Sequence, residues 1–445
     1  MNRGIVSRAT EAARRALSSA LARDTGVLVV GVAISQAIAL GAMPIITRLF
    51  APDEFGIFAS FASLVGIAGV FACLYFEAVI PLARSDSEAA SIVVLALISV
   101  CATTAIAALA VTYLGHHLVA QLGAPSLDSS LWLLPVNIAL LGAFQACLYL
   151  ALRNRRFASV SAARVGQTLS VSGAQVAAGL GRGGAAGLIQ GYTIGQLIAT
   201  LAMAPHAYSF VRKAFAKRSD LVELIVGSAR RYLPIAAFGS LGTFMVTASY
   251  QVIPLLLTSY YGPAAAGTFF ITYRVASIPI SLLGGPIGQV LLQRASERVA
   301  ADQPTAELVE ESLLTLVRLG LLPFVMVAIL APSAFSFVFG DQWRDAGAIF
   351  QVLAIPFFLQ FVTGPVSSVL IALRKQKIVA QLQTVMFASA VGTLTAGYLL
   401  SFGMIGSISL YAVSLTAIYT YYLHIVCKYS SASGARVLHR VMGRP

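Results

Sequence analysis

From Thr25 onward the chain is written as long apolar runs separated by short polar breaks. An α-helix rises about 1.5 Å per residue, so about 20 apolar residues carry it across a bilayer core of about 30 Å. Twelve runs meet that length, over approximately 25–46, 55–82, 91–114, 131–152, 158–180, 188–208, 233–258, 268–293, 312–338, 348–372, 378–400 and 403–426. The last two are separated only by a break around Gly403. The pattern predicts an all-α membrane protein of twelve transmembrane helices, with loops too short to fold as soluble domains. The segment Asn2–Asp24 mixes Arg with Ala, Leu, Ile and Val, which predicts a short helix lying on the inner membrane surface. The run Thr25–Ile46 is longer than the roughly 7–15 apolar residues of a signal peptide, and no small-residue cleavage site follows it, so it reads as a retained first span.

Charge changes the picture by giving it an orientation. If the N-terminus is cytoplasmic, the outer segments hold only Arg48, Arg182 and Arg344, and Arg164, Arg274 and Arg318 lie inside spans. Every other Lys and Arg then falls on the inner side, in segments such as Arg153–Arg156, Arg212–Arg231, Arg374–Lys377 and the tail after Lys428. Inner loops are enriched in Lys and Arg, so this asymmetry predicts both termini inside. It also accounts for a net charge of +13 without any nucleic-acid role. Composition agrees with a bilayer solvent, because 58% of residues are hydrophobic and only 11% charged, too few for a water-facing surface. Cys73, Cys101, Cys147 and Cys427 form neither a disulfide framework nor a zinc pattern and read as small apolar packers. The adjacent His116 and His117 fall in an outer loop without further metal ligands nearby in sequence.

Two stretches are written twice. "ALRNRR" at Ala151–Arg156 is echoed by "ALRKQK" at Ala372–Lys377, and Pro135 precedes Arg153 by the same interval that separates Pro356 from Arg374. "PIITRLFAPDEFGIF" at Pro44–Phe58 is echoed by "PLLLTSYYGPAAAGTFF" at Pro254–Phe270. Span 4 thus matches span 10, and spans 1–2 match spans 7–8. An offset of six spans predicts a parallel repeat about an axis along the membrane normal. The expected architecture is two pseudo-symmetric six-helix lobes around a central cavity. The expected division is a basic N-terminal segment at 1–24, an N-lobe at 25–208, a cytoplasmic linker at 209–232, a C-lobe at 233–426 and a basic tail at 427–445.

With "TRLFAPDEFGIFA" at Thr47–Ala59, "YFEAVIPLARSDSEA" after span 2, "ALRNRRF" after span 4, "GLIQGYTIGQL" in span 6 and "GTFFITYRVASIPISLLGGPIGQVLLQRASE" in span 8, nearly the whole chain resembles the lipid-linked oligosaccharide flippases of polysaccharide export. These belong to the superfamily that also holds multidrug and cation antiporters. The resemblance implies a bacterial inner-membrane translocator that moves undecaprenyl-diphosphate-linked oligosaccharide from the cytoplasmic to the periplasmic leaflet by alternating access. It places the chain in surface polysaccharide biosynthesis, such as lipopolysaccharide O-antigen or exopolysaccharide, beside polymerase and glycosyltransferase partners. It implies no cofactor.

Ionisable residues inside spans are rare and mark sites by default. The candidate cationic cavity residues are Arg164, Arg274 and Arg318, with Arg48 at the outer mouth of span 1. Guanidinium groups bind phosphate oxygens in bidentate fashion and lower the barrier for a diphosphate head. Arg164 and Arg318 are also near enough to the inner surface to snorkel, and Arg48 has Asp53 and Glu54 nearby as alternative partners. Glu77 is either a structural partner for an Arg or a proton carrier. Gln36, Asn137, Gln145, Gln167, Gln175, Gln251 and Gln289 serve either sugar hydroxyls or helix–helix contacts.

Other functions fit less well. A membrane polymerase or glycosyltransferase calls for an extramembrane catalytic segment or an acidic metal motif, and the chain holds only 17 acidic residues. No Walker A, HExxH or suitably placed GxSxG motif is present. A cation antiporter of the same superfamily needs acidic cavity residues, whereas the spans carry one acid against three Arg.

Overall fold

The computed structural model describes residues 3–216, 220–433 and 436, with side chains described from Gly26 onward. The described residues are helical almost throughout and form no strands. The helices are α1 (Arg3–Leu49), α2 (Pro52–Gly69), the short α3 (Phe76–Val79), α4 (Asp86–Leu122), α5 (Leu133–Arg153), α6 (Phe157–Leu180) and α7 (Gly184–Phe215). After residues 217–219 come α8 (Leu221–Tyr261), α9 (Pro263–Pro279), α10 (Gly285–Ala300), α11 (Ala306–Phe339), α12 (Arg344–Ala372), α13 (Gln376–Leu399) and α14 (Gly403–Ser430). A π-helical turn, Ile280–Gly284, joins α9 to α10.

Nine helical segments among the described residues are long and apolar enough to cross a membrane, so the chain is a multi-pass membrane protein. The twelve expected spans exceed that number because α2, α6 and α7 fall short in apolarity; α9 and α10 together make one of the nine. The break expected at Gly403 lies between α13 and α14.

Several expectations change. α1 runs unbroken from Arg3, so the N-terminal segment continues the first span helix instead of forming a separate surface helix; no Gly–Pro break stands between Arg3 and Thr25 to turn the chain. His116 and His117 belong to the last turns of α4, not to a loop, since that helix extends to a left-handed Gly123 cap. The expected linker 209–232 is mostly helical, taken up by the ends of α7 and α8. Within it Lys217 and Arg218 lie outside the described residues, as does most of the basic tail. Span 2 is not continuous either. α2 stops at Gly69, and Leu74 and Tyr75 adopt positive φ (48° and 65°) before α3 resumes. Non-glycine residues pay of the order of 1–3 kcal/mol for such backbone, and it persists only where the surroundings impose it.

Local chemistry sets the helix ends. Pro52 occupies the first turn of α2, and the Ala51 N–H donates to the Glu54 carboxylate at 2.7 Å. At α4, the Glu88 N–H donates to Ser85 Oγ at 3.2 Å, and the Arg84 N–H donates to the Glu88 carboxylate at 2.6 Å. α5 and α12 end in the same closure. Arg155 and Arg374 take the left-handed conformation, Arg156 N–H donates to the Ala151 carbonyl and Lys375 N–H to the Leu370 carbonyl, each at 2.8 Å. α6 and α13 end likewise at Arg182 and Ser401, followed by left-handed Gly184 and Gly403. Arg155 and Arg374, Arg182 and Ser401, and Gly184 and Gly403 are all separated by the same number of residues. That spacing is two residues shorter than the one that pairs Pro135 with Pro356, so the caps match Arg374 to Arg155, where the sequence echo pairs it with Arg153.

Packing follows two groups. α6 lies against α1 and α7, and α5 against α4 and α7; α12 lies against α11 and α14, and α13 against α14 and α8. The groups meet where α2 crosses α9 and where α8 lies along α2 and α4. The α2–α9 crossing is reciprocal. A Cβ at Gly56 would overlap the Pro263 carbonyl, and one at Gly267 would overlap the Pro52 carbonyl. Each helix offers its glycine to the other's first-turn proline, so the two backbones touch.

Candidate functional site

The end of the bundle that carries this crossing is sealed. Trp343 Nε1 donates to the Thr47 carbonyl at 2.8 Å, and Gln342 Nε2 donates to the same oxygen at 2.7 Å. Trp343 is fully buried with its ring edge-on to Phe55, and Phe55 is edge-on to Phe50. Arg48 donates to the carbonyls of Phe337 at 2.9 Å and Val338 at 3.5 Å, in the last turn of α11. A cation there satisfies carbonyls without helical partners and opposes the helix dipole. Arg48 therefore belongs to the seal and lines neither of the cavities beneath it, and Glu54 is engaged as the cap of α2.

Below the seal, two cavities lie one above the other along the cleft between α1 and α6 on one side and α9 and α10 on the other. The upper one, about 290 Å³, is walled by α1, α2, α6, α7 and α9. Phe55, Phe58, Tyr192 and Phe270 roof it, with the Phe58 ring edge-on to Tyr192 and Phe270 at centroid distances of 5.9 and 5.8 Å. Arg274 on α9 opens into this space. Among the described residues its guanidinium has no hydrogen bond or ion pair. The lower cavity, about 360 Å³, is lined by Arg164 of α6, Gln289 of α10 and apolar residues of α1 including Leu28 and Val32.

A polar stripe on α6 links the two. Arg164 lines the lower cavity, and Gln167, Thr168, Ser172 and Gln175 line the upper. These positions recur at three- and four-residue intervals, one face of a helix, and climb about 16 Å from first to last at 1.5 Å per residue. The stripe explains why α6 is less apolar than its length would suggest. α2, α6 and α7, the helices not apolar enough to qualify, all contribute to the upper cavity wall. In α6 the polar side chains face the internal space, where hydrocarbon does not select against them, whereas α2 gives the cavity Phe55, Phe58 and Ala62 and is less apolar because of Pro52, Asp53 and Glu54 in its first turn.

The remaining predicted residues scatter. Arg318 on α11 lines neither cavity. Glu77 sits in α3, just past the break in span 2, and its Oε2 is buried without a hydrogen-bond partner among the described residues. Gln167 Nε2 donates to Gln196 Oε1 at 2.8 Å while still facing the cavity, and Gln175 Nε2 donates to the Leu188 carbonyl at 3.1 Å. Asn137 is helix glue, donating to the Leu133 carbonyl at 3.0 Å and Thr193 Oγ1 at 2.8 Å. Gln251 packs against Gly66. The aromatic roof was absent from the predicted site, because a Phe or Tyr inside an apolar run gives no sign of whether it meets lipid, core or cavity. Thr168 and Ser172 did carry a signal, the helical spacing with Arg164, Gln167 and Gln175.

Comparison with known proteins fits this arrangement. Residues 45–348, about two thirds of the chain, match a family described as polysaccharide biosynthesis protein. The chain belongs to that family. Among solved structures, this family member is similar to lipid II flippase MurJ in an inward closed conformation, with a TM-score of 0.70 and 13% identity over 93% of this chain and 90% of that one. It is also similar to an inward-facing multidrug resistance MATE family transporter of the MOP superfamily, with a TM-score of 0.65 and 13% identity over 91% and 98%. A third likeness is to the MATE multidrug transporter DinF-BH, with a TM-score of 0.52 and 14% identity over 91% and 92%. At these identities the likeness is one of fold. No curated protein matches the chain.

Proposed function

We propose that this polysaccharide biosynthesis protein is a flippase that carries an undecaprenyl-diphosphate-linked oligosaccharide from the cytoplasmic to the periplasmic leaflet of a bacterial inner membrane by alternating access. The observation that carries the reading is Arg274, a guanidinium without a protein partner among the described residues, open to an internal cavity whose walls combine aromatic rings, hydroxyls and carboxamides with aliphatic side chains such as Met43 and Ile46. A bare cation at membrane depth is costly unless it faces water or an anion. Arg supplies a planar fork for diphosphate oxygens, the rings offer flat apolar faces to sugar C–H groups, and Gln167, Thr168, Ser172 and Gln175 offer donors and acceptors to hydroxyls. The cation-antiporter reading is disfavoured because no Asp or Glu is among the residues lining either cavity.

The mechanism takes the chain as twelve spans in two six-helix lobes, 25–208 and 233–426, joined by a linker over 209–232, with both termini cytoplasmic. The repeated caps at Arg155 and Arg374, Arg182 and Ser401, and Gly184 and Gly403 support the repeat. The seal at Thr47, Trp343 and Arg48 lies at the outer end in this orientation, and the cavities lie toward the inner leaflet. This is an inward arrangement, in keeping with the inward states of the two similar structures above. The headgroup enters beside Arg164, passes to Arg274 and leaves when the α2–α9 crossing parts, while the polyprenyl tail stays in lipid. Polymerase and glycosyltransferases act after and before this step.

The test is glycan export in cells carrying Arg274→Ala at wild-type protein level. The reading requires export to fall at least about tenfold, the loss of one charge-assisted pair of roughly 1.5–3 kcal/mol. Partial rescue by Arg274→Lys is expected, because the charge remains and the planar fork is lost. Unchanged export would contradict it.

A further inference from the structure

α10 and the π-helical turn before it border two different spaces. Leu282, Gly285 and Gln289 face the lower cavity, while Ile287, Val290, Leu291 and Arg294 line a groove of about 260 Å³ against Leu308 and Ser312 of α11. The second set recurs at three- and four-residue intervals, one face of a helix. The groove arises because α10 and α11 each pack on α12 and meet each other little. Gly288 brings α10 close to Pro365 of α12, where a Cβ would stand 3.3 Å from the proline Cα. Leu291 and Leu308 form a buried apolar floor, and Val290 and Arg294 stand exposed at the rim.

Arg294 is unclaimed by the protein. Among the described residues its guanidinium has no hydrogen bond or ion pair. The acids around it are engaged elsewhere. Glu297 accepts from Gln293 Nε2 at 3.1 Å, and Glu307 faces Arg298 at 3.9 Å. Glu310 holds Arg436 at 2.9 Å and the Ser433 N–H at 2.7 Å. Above the groove the seam stays apolar. It reaches Leu283, which with Leu319 and Phe324 lines a second pocket of about 150 Å³ that has no charged residue in its lining. From Arg294 to Leu283 is about 16 Å along the helix at 1.5 Å per residue. One leaflet occupies half of a bilayer core of about 30 Å, so the seam is as long as a leaflet is deep.

We infer that the groove between α10 and α11 binds an anionic phospholipid of the surrounding leaflet, with its phosphate on Arg294 and one acyl chain lying along Val290 and Ile287. A basic residue at the mouth of an apolar slot between membrane helices matches such a lipid in charge and in shape. A single acyl chain fills the length of the seam, whereas a polyprenyl tail outruns it. In the orientation proposed above the lipid belongs to the inner leaflet, but its binding depends neither on that orientation nor on the cargo. Pro286 borders both the groove and the lower cavity, so a chain lodged in the groove backs the cavity wall. A comparable groove elsewhere lacks the free cation. It encloses about 290 Å³ between Ser159 and Ala162 of α6 and Ala202 and Met203 of α7, with no charged residue in its lining. Arg156, one turn before Ser159, is already committed to His206 Nδ1 at 2.7 Å.

The experiment uses the full chain in nanodiscs of phosphatidylcholine with a minority of phosphatidylglycerol. A photoreactive benzoylphenylalanine replaces Val290, whose side chain is exposed at the rim, and lipid adducts are counted by mass spectrometry. Phosphatidylglycerol should be captured about fivefold above its share of the bilayer, the preference that one surface cation gives an anionic lipid. Arg294→Gln should bring the capture ratio down to the bilayer ratio, and Arg294→Lys should keep most of the preference. Arg156→Gln, which removes an equal charge from the α6–α7 groove, should leave it unchanged. If Arg294→Gln does not accumulate, Ser312→Phe serves instead, because it fills the groove without removing the charge and should lower the capture of both lipids. Farnesyl diphosphate, added as a mimic of the cargo's head and first isoprenes, should displace the adduct no better than added phosphatidylglycerol does. A preference that survives Arg294→Gln, an equal loss in Arg156→Gln, or capture undiminished by Ser312→Phe overturns the inference. Stronger displacement by farnesyl diphosphate overturns it too, by assigning the groove to the cargo.

Discussion

A methyl group at Gly56 is the smallest perturbation that tests how the sealed end, the outer one in the proposed orientation, closes. The Cβ of Gly56→Ala would be driven into the Pro263 carbonyl, and the atoms it meets are backbone, which cannot rotate aside. The relief available is separation of α2 from α9. Overpacking of this kind costs typically about 1–3 kcal/mol. Separation also strains the seal, where Trp343 and Gln342 share the Thr47 carbonyl and Arg48 holds the Phe337 carbonyl, each bond being worth about 1 kcal/mol. A combined bias of about 3 kcal/mol shifts the closed–open equilibrium by about 100-fold. Ser60, buried one turn below Gly56 and bonded to Thr258 at 2.7 Å, is the reporter. In a cysteine-free background, labelling of Ser60→Cys by an impermeant thiol reagent from outside should accelerate by about that factor in Gly56→Ala. Gly267→Ala should match it, because its Cβ meets the Pro52 carbonyl in the same way. The double variant should exceed either single by much less than their product, since one separation relieves both overlaps. Background labelling in both singles, at unchanged protein level, would refute the reciprocal crossing as the closure.

Three further outcomes are expected. Arg48→Ala frees the Phe337 and Val338 carbonyls and should raise Ser60→Cys labelling about tenfold, with no effect on diphosphate binding; lost binding would return Arg48 to the site. Asn137→Leu should destabilise by only about 1 kcal/mol in thermal unfolding, because Thr193 keeps its bond to the Ile189 carbonyl; a loss of export at normal stability would assign Asn137 to the cargo instead. Engineered cysteines at Ser126 and Asp341 should react with an impermeant reagent in intact cells and one at Lys217 should not; reaction at Lys217 would invert the topology.

The membrane class and the helical fold were legible because apolar length alone determines them, and a bilayer permits few other backbones. The proposed repeat drew on loop chemistry that recurs at "ALRNRR" and "ALRKQK", and the left-handed caps recur at a spacing two residues shorter, with Arg155 and Arg374 closing the ends of α5 and α12. Arg274 stood out by its depth, with no acid in its own span to pair with, and the structure places it at the upper cavity. Arg48 was not, since the carbonyls it holds are almost 300 residues away in sequence and only folding brings α11 to it. The break in span 2 left no mark either. "GVFACLYFEAV" holds no proline or glycine at Leu74 or Tyr75, and its left-handed backbone is imposed by packing, with the Tyr75 ring lodged on Gly239 of α8. The histidine pair was misplaced because length alone cannot tell a helix that outruns the bilayer from a loop.

In the proposed transport cycle Arg274 contacts the diphosphate of a lipid-linked oligosaccharide. The direct measurement is flipping of a polyprenyl-diphosphate-linked oligosaccharide in proteoliposomes, read by accessibility of its sugar to an external lectin or enzyme. Wild type should flip it, Arg274→Ala should slow it by about 10- to 100-fold at equal reconstituted protein, and Arg274→Lys should fall between. Flipping by Arg274→Ala at the wild-type rate, or no flipping by wild type while a cationic dye is moved instead, would contradict a diphosphate-binding role for Arg274.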